Sequence, residues 1–507
     1  MPDHLSETGS TGMQAQHLLD DAQMSAFLAD GYVVLRPAEL TQAAHAKLFA
    51  EAAELYDEVR RVGGGTTHFQ YLGDNLLARI PGLQDVLDAP TVTGALTSIL
   101  GEGYVLHPHH FVHSAGRTDQ GFHQDGNLPW NTRGYFRSHR PISAILLYYP
   151  QTVTDAMGPT EVLPGTQYWS GNFEGTETWH ADDHLDRDFT AAASKVDDLA
   201  YRDERLAASL RALPFEYVER RRLTVPAGSV VITHYDLVHR GTRQQPGSSE
   251  RRFMYKFFFL RTREPRAPSW LNSRQAPDLA GALPSNEAVI ARVWSWLRGD
   301  PIDATSTDVA ECAEQLRSPH ENTRRSAGYA LGYAGAAAVD ALVAAMSDPE
   351  VTVRRMAAFA LGETRCVMQS AIAALTAGLV DVDELVRSNS AFSLGSLARV
   401  RALPGAVIDA LLDRLDPQRE PDNTNSANMA RSTVRECVVQ ALLQVASNGH
   451  LSEPQRARLV AIGLQDPDRY VRGLTVEAIR RDPNAAIPAW LGEVLAYLDT
   501  RQYQPRA

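Results

Sequence analysis

The stretch Gln120-Gly121-Phe122-His123-Gln124-Asp125-Gly126 carries the most information about the fold of the N-terminal half. It holds an imidazole and a carboxylate two residues apart, and side chains two residues apart point the same way on a β-strand. His239 follows the apolar run Ser229-Val230-Val231-Ile232-Thr233, which is typical of a buried strand. We therefore predict that strands distant in the sequence bring His123, Asp125 and His239 together around one metal ion.

The His-x-Asp pattern is weak evidence by itself, because this chain has 16 histidines and 61 acidic residues. It recurs at His180, His184 and His234. The first two lie in a charged, Ala-rich stretch, 179–213, which indicates solvated surface. Of His234 and His239, which both close an apolar strand, only one need face the metal. Two imidazoles and one carboxylate on one face of an octahedral ion form the ligand set of non-haem Fe(II) oxygenases, which leaves three positions open.

Composition limits the class of protein. The 507 residues, 44% hydrophobic and 22% charged, are typical of a soluble globular chain of two to four domains. A formal net charge of −12 predicts neither a nucleic-acid partner nor a membrane-surface partner. Three widely spaced cysteines predict no disulfide framework. The N-terminal stretch lacks the charged-then-apolar pattern of a signal peptide, and no segment has the apolar length of a membrane span. We expect a cytoplasmic enzyme.

The N-terminal half alternates short apolar runs with Gly- and Pro-rich turns. Residues 1–20 are polar and predict a disordered tail, and an amphipathic helix is expected from about Thr41 to Val62. The predicted strands are Gly103–Val112, Ile142–Tyr149, Leu223–Val225, Ser229–Thr233 and Arg252–Leu260. Many short strands separated by turns predict a sandwich or jelly roll, and the added helices make the domain α+β. We expect this domain to cover residues 21–297.

An Ala- and Leu-rich helical pattern begins near Asp300 and repeats. Leu-Gly pairs begin at Leu331, Leu361 and Leu394, so they are 30 and then 33 residues apart (361 − 331; 394 − 361). Asp-Pro and Val-Arg pairs precede several of them, as in Asp348-Pro349 and Val353-Arg354. These units resemble HEAT repeats of the short type, with Asp-Pro in the turn and Val-Arg opening the second helix. About five units predict an all-α solenoid over residues 298–500.

Four segments of the N-terminal half carry motifs that are informative because of the order in which they follow one another. They are Asp30–Val34, Gln120–Gly126, Met157–Gln167, and His239–Thr242 together with Arg252–Phe257. This ordered set, within residues 21–265, resembles the phytanoyl-CoA dioxygenase family of Fe(II)- and 2-oxoglutarate-dependent oxygenases. The resemblance implies a double-stranded β-helix of the cupin-like jelly-roll type, with Fe(II), 2-oxoglutarate and dioxygen as cofactor and co-substrates. It also implies that His123, Asp125 and His239 are the catalytic iron ligands.

The resemblance further implies an arginine, shortly after the distal histidine, that binds the far carboxylate of 2-oxoglutarate. An arginine fork matches two carboxylate oxygens in a way that lysine cannot. Arg252 fits the family pattern better, although strand alternation would put Lys256 on the same face; Arg251 remains open as the alternative. Thr242 and Gln124 are expected to add hydrogen bonds to the co-substrate.

The sequence leaves the substrate open. We expect hydroxylation of a C–H bond in a small molecule, of natural-product or acyl type, because that is what the resemblance implies. The helical repeats would then bind a partner, mediate self-association or complete the pocket. One alternative is a protein-modifying oxygenase whose solenoid presents a protein substrate. Another is a non-catalytic scaffold with a degenerate oxygenase fold, against which the intact His-Asp-His set argues.

Overall fold

The computed structural model describes residues 16–61, 76–116, 118–125, 138–169, 196–213, 215–301, 307–422 and 432–485. The strands of these residues are β1 (Tyr32–Leu35), β2 (Val105–Ser114), β3 (Ser143–Tyr149), β4 (Thr160–Val162), β5 (Arg221–Arg222), β6 (Ser229–His234), β7 (His239–Gly241) and β8 (Phe253–Leu260). The helices around them are α1 (Asp21–Asp30), α2 (Gln42–Arg61), α3 (Leu76–Arg79), α4 (Leu83–Leu87), α5 (Pro90–Leu100), α6 (Leu199–Arg211) and α7 (Glu287–Leu297). Short 3-10 turns lie at Asp155–Met157, Thr166–Tyr168 and Pro284–Asn286.

The strands form two antiparallel sheets. The larger sheet has the order β1-β6-β3-β8-β2 and the smaller one the order β5-β4-β7. Strand β3 is buried along its whole length, between β6 and β8, because its run Ser143–Tyr149 is almost entirely apolar. The two sheets meet through their side chains, since the Tyr149 hydroxyl donates a hydrogen bond to Thr160 Oγ1 over 2.9 Å. The predicted α+β jelly-roll class is confirmed.

Strand β8 presents alternate side chains to two different surroundings. The Tyr255 hydroxyl donates to the carbonyl of Leu48 in α2, so the odd-numbered residues face the helices. Lys256 and Phe258 therefore face the smaller sheet. Strand β2 pairs with β8, but its register shifts between His107 and Phe111, and this irregularity adds two residues to the β2 side.

Two elements differ from the sequence-based expectation, and one helix matches it. The strand expected at Leu223–Val225 is found at Arg221–Arg222, because the backbone turns where the Thr224 amide donates to the Arg222 carbonyl. Residues 1–15 of the expected disordered tail lie outside the described residues. The rest of that segment is packed, since Leu19 is buried and its backbone amide donates to Ser98 Oγ over 2.9 Å. Helix α2 (Gln42–Arg61) matches the expected amphipathic helix within one residue at each end.

The C-terminal part is all-helical, as predicted. Its helices are α8 (Val309–Gln315), α9 (Glu321–Tyr333), α10 (Val339–Ala345), α11 (Val351–Glu363), α12 (Gln369–Gly378), α13 (Glu384–Val400), α14 (Gly405–Leu415), α15 (Thr433–Ser447), α16 (Glu453–Gly463) and α17 (Arg469–Arg481). Consecutive helices pair, and the second helices of the pairs also pack against one another in the order α9-α11-α13-α15-α17. We call these five helices the inner row. Glycines allow the close approach: a Cβ atom at Gly362 would lie 2.4 Å from Ser393 Oγ.

The inner row packs against the β-sheet domain. Four of its helices make polar contacts there. These contacts are Tyr333 Oη with His139 Nδ1 (3.0 Å), Glu363 Oε2 with Arg140 Nη1 (2.8 Å), Glu436 Oε1 with His107 Nε2 (3.1 Å), Gln444 Nε2 with the Arg261 carbonyl (3.1 Å) and Tyr470 Oη with His109 Nδ1 (2.5 Å). One cluster of buried apolar side chains extends from the β-sheet domain into the solenoid. The solenoid is therefore part of the same packed body.

Among the described helices, none combines the length and the apolar character that a bilayer crossing requires.

Candidate metal centre

His123 and His239 are held opposite each other by the backbone. The His123 amide donates to the His239 carbonyl over 3.0 Å, and the His239 amide donates to the His123 carbonyl over 2.9 Å. The sequence argument assumed that His123 and Asp125 lie on a β-strand. The antiparallel bridge is isolated, however, so the two residues lie on an extended segment outside any strand. His239 itself opens β7. The pairing places the two imidazole rings 4.7 Å apart, centroid to centroid.

The three predicted ligand side chains converge. Asp125 Oδ1 lies 3.8 Å from His123 Nε2 and 3.9 Å from His239 Nε2. One candidate ligand atom from each residue lies within 4.8 Å of the others. His123 and Asp125 are buried, and His239 is half-buried. The structure thus brings together residues that are up to 116 positions apart (239 − 123).

The second nitrogen of each imidazole is fixed by a carbonyl. His123 Nδ1 lies 2.9 Å from the Gly121 carbonyl oxygen, and His239 Nδ1 lies 2.9 Å from the Leu237 carbonyl oxygen. A carbonyl can only accept, so each Nδ1 carries the proton and donates it. Each Nε2 then faces the Asp125 carboxylate. Metal-binding histidines characteristically donate their other ring N–H in this way.

Asp125 divides its two oxygens between different partners. Oδ1 faces the two imidazoles, while Oδ2 accepts a hydrogen bond from Lys256 Nζ over 2.5 Å. Burial alone would raise the pKa of Asp125, but Lys256, His239 and His123 together hold that pKa below its ordinary value. Burial lowers the pKa of His239 to about 4 despite the nearby Asp125. The site is therefore arranged for an ionised carboxylate beside two imidazoles that each donate from Nδ1 to a backbone carbonyl.

The two candidate arginines have opposite environments. Arg251 is directed away from the cluster, since its Nη1 lies 3.1 Å from Asp57 Oδ2 and its guanidinium covers the Phe253 ring. Arg252 is 4% exposed, and its Nε and Nη1 have no hydrogen-bond partner in the described part of the chain. Burial lowers the pKa of Arg252. An interior guanidinium with free donors suits an anionic ligand, which favours Arg252.

His113 connects this arginine with the ligand cluster electrostatically. Burial, together with Lys256, Arg252 and His239, lowers the pKa of His113 to about 3, whereas Asp125 raises it. Groups that act on one imidazole in this way share one neighbourhood. Arg252 and Lys256 are thus two cations of the same interior, Arg252 just before β8 and Lys256 on it.

Thr242 and Gln124 are engaged with the backbone. Thr242 Oγ1 donates to the Pro159 carbonyl over 2.6 Å, and Gln124 Nε2 donates to the Asp236 carbonyl over 2.8 Å. The co-substrate role expected of these two side chains gains no support from this geometry, because each already serves a buried carbonyl. His234 also lies apart from the cluster, and its Nδ1 accepts from the Asp236 amide over 3.1 Å.

Lys256 is the residue that sequence reasoning weighed only as an objection to Arg252. The sequence nevertheless indicated its place, because strand alternation puts Lys256 on the same face as Arg252.

Beyond Lys256, a chain of contacts leads to the solenoid. Lys256 Nζ lies 5.1 Å from the Phe258 ring centroid, the Phe258 ring lies 4.6 Å from that of His109, and His109 binds Tyr470 of α17.

Comparison with known families assigns two parts of the chain. Residues 27–253 match the sequence model of the family described as phytanoyl-CoA dioxygenase, and residues 309–395 match that of HEAT repeats. Both family predictions are confirmed. No curated protein matches the chain.

Solved structures give further similarities. The epimerase SnoN in complex with Fe3+, alpha ketoglutarate and nogalamycin RO is 15% identical, with 47% of this chain and 82% of SnoN covered and a TM-score of 0.34. The carbocyclase SnoK from nogalamycin biosynthesis is also 15% identical, with 49% and 86% covered and a TM-score of 0.33. EctD from S. alaskensis with bound Fe is 15% identical, with 47% and 76% covered and a TM-score of 0.32.

Proposed function

We propose that this chain, in which a phytanoyl-CoA dioxygenase domain is joined to HEAT repeats, is an Fe(II)- and 2-oxoglutarate-dependent oxygenase. His123, Asp125 and His239 would be its metal ligands and its catalytic residues. One observation carries this proposal: both imidazoles donate Nδ1–H to backbone carbonyls and direct Nε2 toward one oxygen of a buried carboxylate.

The donor set fits Fe(II). Two neutral imidazoles and one carboxylate suit a divalent ion of intermediate softness and leave coordination positions open. The Asp125 carboxylate is prepared for one-oxygen coordination, because Lys256 binds Oδ2 and leaves Oδ1 facing the imidazoles. Lys256 is thus a positioning residue, which would hold the Asp125 carboxylate through Oδ2. The metal together with 2-oxoglutarate would supply the dioxygen-dependent oxidation, with release of carbon dioxide and succinate.

We propose Arg252 as the partner of the far carboxylate of 2-oxoglutarate. Its guanidinium is buried with free Nε and Nη1 donors, and a bidentate carboxylate would satisfy both its charge and its hydrogen bonds. Arg251 lies outside the interior and is paired with Asp57. We propose the domain limits predicted from the sequence, residues 21–297 for the oxygenase domain and residues 298–500 for the solenoid.

We propose that the solenoid completes the catalytic pocket and that the substrate is a small molecule, hydroxylated at a C–H bond. The support is the packing of the inner row. Tyr470 is linked to the ligand cluster through His109, Phe258 and Lys256. A protein substrate presented by the inner row would need the surface of these helices that already packs against the β-sheet domain.

The first experiment tests metal and co-substrate binding. Fe(II) and 2-oxoglutarate, added without oxygen, are expected to produce a weak visible charge-transfer band. His239→Ala should abolish the band while leaving the circular-dichroism spectrum unchanged. His234→Ala is the control, because His234 is a buried histidine that ends β6, five residues before His239, but lies apart from the cluster. No band in the unmodified protein would contradict the proposal and favour a non-catalytic scaffold.

A second experiment distinguishes the two kinds of substrate. Succinate release is measured with fractionated small-molecule pools and, separately, with protein extracts freed of small molecules. Stimulation by a small-molecule fraction, with an added oxygen atom in the product by mass spectrometry, supports the proposed hydroxylase. Stimulation by the protein extract alone would replace it with the protein-modifying alternative.

A further inference from the structure

A small cavity lies where the solenoid meets the end of the larger sheet. Its volume is about 20 Å³. Its lining includes Leu260 at the end of β8, Arg261 just beyond it, Arg399 of α13, and Gln440 and Gln444 of α15. The cavity is separate from the proposed metal centre, and none of its polar side chains has a part in the oxygenase proposal.

Arg399 is a buried cation with no salt bridge to an acidic side chain among the described residues, although Glu363 acts on it electrostatically and raises its pKa. It is 6% exposed, and its hydrogen bond within the described residues goes from Nη2 to Ser396 Oγ, a neutral acceptor at 3.1 Å. Its Nε is buried and has no hydrogen-bond partner in that part of the chain. An unpaired charge in the interior costs several kcal/mol or more, so a native structure normally supplies a counter-charge.

Arg261 is a second such cation on the opposite wall. It is 2% exposed, and its Nη2 and Nε donate to the carbonyls of Ile99 and Pro141 over 2.6 and 3.3 Å. Its guanidinium also lies 4.9 Å from the Trp296 ring centroid. None of these partners carries a negative charge. No carboxylate among the described residues lies within ion-pair distance of it.

The nearby acidic side chains are already used. Arg140 pairs with Glu363 at 2.8 Å, and Arg365 pairs with Glu264. Glu363 also raises the pKa of Arg399, but two carboxylates do not neutralise four arginines, so an excess of positive charge remains at this site. Burial lowers the pKa of Arg261 to about 9 and that of Arg399 to about 10, but both guanidinium groups stay charged at neutral pH.

We propose that this cavity binds a small monovalent inorganic anion, of which chloride is the physiological example, between Arg261 and Arg399. The volume suits one or two atoms of the size of a water oxygen, which excludes a nucleotide, a peptide carboxylate or another extended anion. The anion would neutralise one guanidinium from the β-sheet domain and one from the solenoid. It would therefore hold the two parts together as an ionic bridge.

The direct test uses bromide as an anomalous-scattering substitute for chloride. Crystals of the full chain are soaked in sodium bromide, and anomalous data are collected at the bromine absorption edge. We expect a peak within about 3.5 Å of Nε of Arg399 and of the Arg261 guanidinium. Density for water alone at this position, or no peak there while surface sites are occupied, would overturn the proposal.

A solution test measures the function of the anion. Thermal unfolding is followed while sodium chloride replaces sodium gluconate at constant ionic strength, because gluconate is too large for the cavity. We expect a saturable rise in Tm of about 2 °C or more. Arg399→Met should lose at least half of this rise. Arg401→Met, at an exposed arginine two residues away, should keep it.

The outcomes separate without a functional assay. Equal Tm values in chloride and gluconate would contradict the anion bridge, whatever the oxygenase activity. A chloride effect that survives intact in Arg399→Met would likewise place the anion elsewhere and refute this assignment. If Arg399→Met does not fold, Arg261→Met serves as the second variant, and the bromide experiment on the unmodified chain still decides.

Discussion

Two groups of histidines are linked through Lys256 and Phe258, and they differ in what their ring nitrogens bind. His123 and His239 donate Nδ1–H to backbone carbonyls, and each directs Nε2 toward Asp125. His107 and His109 instead bind side chains of the solenoid, Glu436 and Tyr470. In the first pair both Nε2 atoms face one carboxylate, whereas the second pair uses its nitrogens to join two parts of the protein.

The comparison shows why residue type is a poor guide to metal sites. In the second group the His109 amide donates to His107 Nδ1 over 3.0 Å, so His107 carries its proton on Nε2 and donates it to Glu436. Burial raises the pKa of Glu436 well above its ordinary value. The hydrogen-bond role of the second nitrogen, rather than burial or the presence of a nearby acid, separates a metal-binding arrangement from a structural one.

The largest expected effect comes from substituting one histidine of each group and comparing the two variants. His123→Ala should weaken Fe(II) binding by more than about 100-fold, because a ligand matters more than an outer partner. His109→Ala should leave Fe(II) affinity within about threefold and lower the free energy of unfolding by about 2–4 kcal/mol, since it removes a buried ring and leaves Tyr470 without that partner. Equilibrium dialysis and urea unfolding measure the two quantities. Equal loss of metal binding in both variants would remove the distinction.

Much of this arrangement was predictable from local patterns. Period-two alternation, Gly and Pro turns and the repeat of about 30 residues were sufficient for both fold classes. The ligand set His123, Asp125 and His239 came from the motif and its order. Patterns of this kind describe one strand or one helix, however, and they carry no information about docking. The contact between His107 and Glu436 spans 329 positions, and no local signal indicated that the inner row would pack against the sheet.

Arg251 and Arg252 could not be separated from the sequence, because a shift of one residue reverses the face of a strand. We expect Arg252→Ala to raise the Kd for 2-oxoglutarate by about 30-fold or more, as removal of a buried charge partner costs about 2–5 kcal/mol. Arg251→Ala should change it by less than about threefold, because its ion pair with Asp57 is exposed. Anaerobic titration of the charge-transfer band measures both values. The reverse ranking would reassign the carboxylate partner to Arg251.

The next effect concerns the pH dependence of the unfolding free energy, and it tests a buried histidine that has a structural role. Burial lowers the pKa of His110, on β2, to about 4, and its ring stacks on Phe257. The ordinary pKa is 6.5, so the unfolded chain binds the proton first as the pH falls. The contribution of His110 to the free energy of unfolding is therefore present above pH 6.5 and is lost as the pH falls toward 4. The free energy of unfolding should fall by about 2 kcal/mol between pH 7 and pH 5 because of this group.

His110→Phe should therefore flatten the dependence of unfolding free energy on pH by about 2 kcal/mol across that interval. His320→Gln, at an exposed histidine in the solenoid, is the control and should leave the slope unchanged. Denaturant unfolding at pH 5, 6 and 7 provides the measurement. An unchanged slope in His110→Phe would show that His110 binds protons equally in the folded and unfolded states, which would contradict the lowered pKa.

The smallest effect tests the hydroxyl that joins the two parts. Tyr470→Phe removes the group that binds His109 Nδ1 at 2.5 Å and keeps the ring, which lies 5.3 Å from that of His107. We expect a loss of about 1 kcal/mol in unfolding free energy, typical of one hydrogen bond, with Fe(II) binding unchanged. Tyr201→Phe, at an exposed tyrosine of α6, should change neither quantity. If Tyr470→Phe weakens Fe(II) binding while stability is kept, the solenoid acts on the metal centre directly, and the separation between the two histidine groups no longer holds.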